Sequence, residues 1–178
     1  SSDGHRVLTF VDGSTLTFKK DVVNTKFDLK KVNASVSTDS AHSPKTSFVE
    51  VDGRDLIAVS WSDNDTNRDG AFLAVVDPNS NIVSDPLNLN AFNIEGIQYA
   101  AETRQLSDGN LIAAWHGQVN SYRSGFQLKK ISIESGGELK PSEAQFTKIY
   151  ENSNHLSDVL ITKDDQILVF SDHAGYAI

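Results

Sequence analysis

Cysteine is absent from all 178 residues, which removes disulfides, thiolate metal sites and thiol nucleophiles together. Stability must then come from burial, helped at most by a bound ion. Methionine is absent too, so the sequence is expected to start downstream of a natural initiator and to be excised from a longer chain. No apolar run approaches the roughly eighteen residues of a membrane-spanning helix, and no succession of basic, apolar and small residues marks a signal peptide. Basic side chains are few: 16 Lys and Arg against 24 Asp and Glu give a formal net charge of −8. Nucleic-acid binding depends on cations that neutralise phosphates, so no such partner is expected. The short basic pairs Lys19-Lys20, Lys30-Lys31 and Lys129-Lys130 are expected on solvated faces. Catalytic signatures are also missing. His5, His42, His116, His155 and His173 show no HExxH spacing, and no serine lies in Gly-x-Ser-x-Gly.

What the chain does contain is a recurring hairpin. Val51 to Val76 reads as a turn, an apolar strand, an acidic loop and a second apolar strand. The plan returns at Asp108-Gly109-Asn110 followed by Leu111 to Trp115, a polar loop, and Phe126 to Ile133. It returns again at Asp164-Asp165-Gln166 followed by Ile167 to Phe170, and near the start at Asp3-Gly4 followed by Val7 to Phe10. Taking Phe10, Trp61, Trp115 and Phe170 as the aromatics that close each strand, the intervals are 51, 54 and 55 residues. A period that steady marks a repeat architecture.

The units run approximately over 1–36, 37–90, 91–150 and 151–178, the first and last incomplete. In the first, Arg6 to Phe10, Ser14 to Phe18 and Phe27 to Val32 read as strands, and no strand precedes Asp3. Asn33 to Pro44 reads as a connector. Thr46 to Glu50, Leu56 to Trp61 and Ala71 to Val76 follow, with a turn at Asp77 to Ser80 leading to Ile82-Val83, then a second connector over Asn88 to Gln98. Leu56 to Trp61 is almost continuously apolar, as a strand buried on both faces would be. Ala100 to Leu106 holds good helix formers, but the repeat register makes it a first strand. Gln145 to Tyr150 is expected as an outer strand, and Val159 to Thr162, Ile167 to Ser171 and Tyr176 to Ile178 as the last unit. A chain stopping on apolar residues at a strand start would leave an open edge for more polypeptide or another chain.

Leu106, Asp108, Gly109, Ala114 and Trp115, with Asp52, Gly53, Trp61 and Gly70, resemble the tandem repeat of large secreted bacterial proteins, the RTX and haemolysin-type adhesins. The likeness covers residues 44–171 best. It implies an all-β fold of propeller-like blades, each of four antiparallel strands, and a secreted or cell-surface setting in bacteria. Closed propellers have at least four blades, so three explanations stand together: a piece of a longer propeller, a propeller completed by a second copy or partner chain, or a β-sandwich reusing the same hairpin.

The loops joining second to third strands are expected on one face. One of them, Asp63-x-Asp65-x-Asn67-x-Asp69-Gly70, sets oxygen-bearing side chains at alternate positions, as a loop wrapping calcium requires. Its glycine and the absence of a twelfth-position glutamate depart from the EF-hand, and the expected affinity is weak, about 10⁻⁴ to 10⁻³ M. The flexible acidic loop is the alternative. The next loop, His116 to Ser124, offers His116, Asn120, Tyr122 and Arg123, and the last offers Asp172 and His173, a mix able to stack on a sugar or hydrogen-bond a peptide. Trp61 and Trp115 are expected in the core. The function expected first is a binding or adhesion module for glycan or peptide. An assembly unit pairing through an open strand edge comes second, and a propeller-type polysaccharide lyase or hydrolase third.

Overall fold

The computed structural model describes residues 7–12, 15–20, 23–28, 41–63, 70–77, 84–89, 99–120, 123–135, 137–150, 156–171 and 175–177. Among them every regular element is a strand. Sheet 1 is the meander β1 (Val7–Asp12), β2 (Thr15–Lys20) and β3 (Val23–Asp28). Sheet 2 is β4 (Ala41–Val51), β5 (Arg54–Asp63), β6 (Gly70–Val76) and β7 (Leu87–Asn88). Sheet 3 is β8 (Glu102–Gln105), β9 (Leu111–Asn120), β10 (Arg123–Ile133) and β11 (Leu139–Tyr150). Sheet 4 is β12 (Leu156–Ile161), β13 (Ile167–Ser171) and β14 (Gly175–Ala177). All pairings are antiparallel between consecutive strands. The expected all-β class and four-stranded antiparallel units stand; the sheets do not close on themselves.

Turn chemistry sets the hairpins. Between β4 and β5, Val51 pairs with Arg54, leaving Asp52 and Gly53 with φ of 52° and 72°. Left-handed backbone at both central residues is the type I′ turn that Asp-Gly favours and that matches strand twist. The β8–β9 turn is one residue longer. Gly109 N donates to Leu106 O at 3.0 Å and Leu106 N to Asn110 O at 2.8 Å, with Gly109 at φ 83°. The β12–β13 turn repeats this plan: Asp165 N to Thr162 O at 3.0 Å, Thr162 N to Gln166 O at 2.9 Å, and Asp165 at φ 56° where its counterpart is glycine.

The sheets stack face to face. Leu56 and Ala58 of β5, Ala71, Leu73 and Val75 of β6, and Leu89 form one buried cluster with Ala101, Leu111, Ala113, Trp115 and Ile131 of sheet 3. Ile112, Ala114 and Leu128, on the opposite face of sheet 3, pack with Ile161 and Ile167 of sheet 4. Residues 56–62, 70–76 and 111–115 are buried without interruption, because sheets 2 and 3 each have a covered surface on both sides. The two-sided burial expected of Leu56 to Trp61 is therefore present, and both tryptophans are core.

First strands lie beside first strands: β1 against β4, β4 against β8, and β8 against β12. Polar links hold this row. Lys45 Nζ meets Glu102 Oε1 at 2.6 Å, and Ser47 Oγ and Thr103 Oγ1 share a hydrogen bond of 2.7 Å. The Gln105 carboxamide donates to Glu50 O at 2.8 Å and accepts from Glu50 N at 2.7 Å, so it caps an outward-facing peptide of the edge strand β4. One layer on, both carboxylate oxygens of Asp165 accept from Ser107, one from its N at 3.0 Å and the other from its hydroxyl.

Several sequence expectations are corrected. Because β1 adjoins β4 as β4 adjoins β8, Phe10 belongs to a first strand, whereas Trp61 and Trp115 belong to second strands. Phe170 also falls out of the aromatic series. The matching turns set Leu106 against Thr162, which aligns Phe170 with Ala114, and Phe170 is exposed while both tryptophans are buried. The third strand of sheet 1 is Val23–Asp28, not Phe27 to Val32, since Lys20 pairs directly with Val23. Residues 29–40 lie outside the described set. Sheet 2 begins at Ala41, so Pro44 is not in a connector; it sits where the register shifts between His42 and Lys45 on an edge strand. Pro141 also lies on an edge strand, β11, whose register to β10 is irregular, and there a missing N–H costs no central ladder bond. The fourth strand of sheet 2 is Leu87–Asn88, whose second residue reads as the start of a connector, while Ile82-Val83 is outside the described residues. The outer strand of sheet 3 starts at Leu139, six residues before Gln145. Within β10 the register shift between Lys129 and Ile131 leaves Leu128 packed toward sheet 4 and Ile131 toward sheet 2. Lys129 is not solvated; it is 2% exposed.

Candidate functional site

The second-to-third-strand reversals recur in sheets 2, 3 and 4, and the described sequence-predicted site residues, Asp63, His116, Asn120 and Arg123, lie on the strands that meet at two of them. Asp63 ends β5 and pairs with Gly70 and Ala41. Asp65, Asn67 and Asp69 lie outside the described residues. The expected loop His116 to Ser124 is mostly strand: His116 pairs with Phe126 and Asn120 with Arg123, which leaves Ser121 and Tyr122 between the two strands. Tyr122 lies outside the described residues, as do Asp172 and His173, which follow the end of β13. The backbone thus sets Asn120 and Arg123 at the tip of one hairpin and His116 four residues back along β9. Among the described residues, no group of three or more His, Cys, Asp or Glu is gathered as a metal would require.

Gly70 shows how one of these reversals is fitted. A Cβ there would stand 3.0 Å from Phe72 Cε2 and 3.3 Å from Asn88 Oδ1. Phe72 has little freedom to yield, since its ring stacks on Trp61 at 5.7 Å between centroids and 17° between planes.

Sequence reasoning passed over a polar group inside the stack. Gln127 pairs with Trp115 and Lys129 with Ala113, so these side chains share the face of sheet 3 that meets sheet 2. Gln127 is 1% exposed, and both its amide nitrogen and amide oxygen lack a hydrogen-bond partner, as does Trp115 Nε1. Ser60 and Ser62 are buried on β5, and Ser60 Oγ donates to Ala101 O at 2.5 Å. Burial pushes the Lys129 ammonium below the usual lysine range. No sequence signal marks Gln127: Phe126-Gln127-Leu128-Lys129 alternates like any half-exposed strand. In sheet 2 the residue paired with the tryptophan is Phe72 instead.

At the opposite end of the hairpins, the Asp108 carboxyl is held down at about 2. The hydrogen bond from Lys130 Nζ, at 2.6 Å, is the main cause, followed by the bond from Asn110 N at 3.0 Å. This Asp-Lys pair braces the β8–β9 turn against β10.

Comparisons with protein families, with curated proteins and with solved structures return no match.

Proposed function

We propose that the chain is a non-enzymatic binding module, built as a run of propeller-like blades of the kind seen in secreted bacterial adhesins. In this reading it engages a glycan or peptide through the tips of its second-to-third-strand hairpins. The observation that carries it is the row of links along the first strands and the turns that follow them, Lys45 with Glu102, Ser47 with Thr103, Glu50 with Gln105 and Ser107 with Asp165. Neighbouring hairpins joined residue to residue in this way hold their far tips in register, so short polar segments form one composite surface on a rigid scaffold. On that surface His116, Asn120, Tyr122, Arg123, Asp172 and His173 supply stacking and hydrogen bonding. Asp63, Asp65, Asn67 and Asp69 supply oxygen ligands for a calcium ion that stiffens the adjoining tip.

A glycan and peptide array probed with the whole chain tests this. Binding that is lost on Tyr122→Ala or Arg123→Ala, with the melting midpoint unchanged, is the expected result. Binding that survives both substitutions overturns the assignment of the hairpin tips.

A further inference from the structure

Sheets 2 and 3 follow one plan but differ at two buried positions of the third strand. In sheet 2, Phe72 stands opposite Trp61 and Ala74 opposite Val59. In sheet 3 the same places hold Gln127, opposite Trp115, and Lys129, opposite Ala113. Gln127 is 1% exposed and Lys129 2%, on the face that meets sheet 2. An apolar pair is thus replaced by an amide and an amine, whose loss of water is offset only where partners are found.

Gln127 Oε1, Gln127 Nε2 and Trp115 Nε1 are buried without a hydrogen-bond partner. They amount to one acceptor and two donor groups. Lys129 is two residues from Gln127 on the same face and diagonal to Trp115 across the β9–β10 ladder, a separation of about 7–8 Å that long side chains span. A simple anion would serve the donors and leave Oε1 open. A group with an N–H and an oxygen side by side serves both ends of a carboxamide, as the Glu50 peptide does for Gln105. A carbamate has such an edge, and a second oxygen for the indole.

We infer that Lys129 is a modification site: its side-chain amine adds carbon dioxide, and the resulting carbamate is held by Gln127 and Trp115. The nitrogen lone pair forms the new N–C bond, one C=O π pair moves onto oxygen, and the proton shed by nitrogen passes to solvent. An amine and CO2 thus give a carbamate and a proton, with no oxidant or further reactant. The remaining N–H donates to Gln127 Oε1, one carbamate oxygen accepts from Gln127 Nε2, and the other accepts from Trp115 Nε1. Only the neutral amine reacts, and burial favours it by pushing the Lys129 ammonium below the usual lysine range. The interaction that Lys129 makes within the fold does not bar the addition, since a carbamate keeps an N–H and gains two acceptors. The inference is independent of the hairpin-tip ligand.

Carbon-13 NMR of the whole chain in labelled bicarbonate, at fixed pH and ionic strength, tests it. The expected result is a carbamate resonance that is lost in Lys129→Arg and Lys129→Met and weakened in Gln127→Met and Trp115→Phe. Trp61→Phe, at the indole opposite Phe72, should leave it unchanged. The α-amino group, which titrates near neutrality, gives a separate signal common to every variant. The melting midpoint should rise by about 3 to 6 °C at a dissolved CO2 level about tenfold above half-saturation, and Gln127→Met should remove that rise. In buffer purged of CO2, Gln127→Met should be at least as stable as the unsubstituted chain. Near-ultraviolet circular dichroism checks that each variant keeps its tryptophan packing. A spectrum with no resonance that depends on Lys129, the outcome if an enclosed water serves these atoms, overturns the inference. So does a Lys129 signal that Gln127→Met and Trp115→Phe leave at full strength.

Discussion

Replacing Gln127 with methionine is expected to stabilise the protein. Gln127 is 1% exposed on the sheet 3 face that meets sheet 2, and neither polar atom of its carboxamide has a partner. Leaving a buried polar group unsatisfied costs about 1–3 kcal/mol. Methionine keeps the unbranched length and nearly the volume, so little packing is lost and the desolvation penalty is removed. The expected gain is about 1–2 kcal/mol, which for a domain of this size is about 2 to 8 °C in melting midpoint. Urea and thermal unfolding, followed by tryptophan fluorescence, measure it directly, since Trp115 is the cross-strand neighbour of Gln127. A loss of about 1 kcal/mol or more refutes the reasoning. It would mean that the amide and the Trp115 indole N–H are satisfied by an enclosed water, as buried polar groups commonly are.

Four further outcomes are expected. Asp165→Ala removes both acceptors of Ser107 and puts a residue with no compensating hydrogen bond at φ 56°; it should cost about 1–3 kcal/mol, and a double-mutant cycle with Ser107→Ala should show coupling, whereas additive effects would deny the link between sheets 3 and 4. Gly70→Ala should destabilise by about 1 kcal/mol, read by denaturant melts, because the new methyl meets the Phe72 ring held on Trp61. The Asp108 carboxyl, depressed from 3.8 to about 2, contributes stability that is present above its unfolded value and lost as pH falls through about 2; a carboxyl NMR titration should give that midpoint, and Lys130→Ala should raise it toward 3.8. Millimolar calcium should raise the melting midpoint and EDTA reverse it, and Asp63→Ala with Asp65→Ala should abolish the shift; a melt indifferent to calcium removes the ion from the hairpin tip.

The strands of sheets 2 and 3 were legible because their causes are local. Asp52-Gly53 and Asp108-Gly109 announce left-handed turns, and the apolar runs after them are too continuous for a half-exposed strand. The repeat register correctly made β8 a strand against its helix-forming composition, because tertiary placement outweighs propensity of about 0.7 kcal/mol or less per residue. Aromatic spacing was the weaker guide. It counted Phe10 and Phe170 with the tryptophans, yet β1 is a first strand and Phe170 is one residue out of phase, and a one-residue slip moves a side chain to the other face. Pro44 misled in the same way: it reads as the bound of a connector, but it lies in an edge strand where the register shifts.

The polar interior was not legible. Burial of Gln127 and Lys129 comes from sheet 2 lying over sheet 3, and no pattern within β10 encodes what covers it. The links Glu50 to Gln105 and Ser107 to Asp165 are hidden for a related reason. They join residues 55 and 58 positions apart, and only the stacked arrangement brings them together. The candidate hairpin tips stood out through residue type alone, and their backbone placement adds that His116 and Asn120 extend a strand where a loop was expected.

The central claim is that the repeated hairpins stack sheet upon sheet, and the Trp115 indole reports on it most directly. A methyl-resolved NOE spectrum should connect that ring to methyl groups of the preceding sheet, those of Ala58, Ala71 and Leu73, which share its buried cluster. NOEs from Trp115 confined to β9, β10 and their own sheet would contradict the stack.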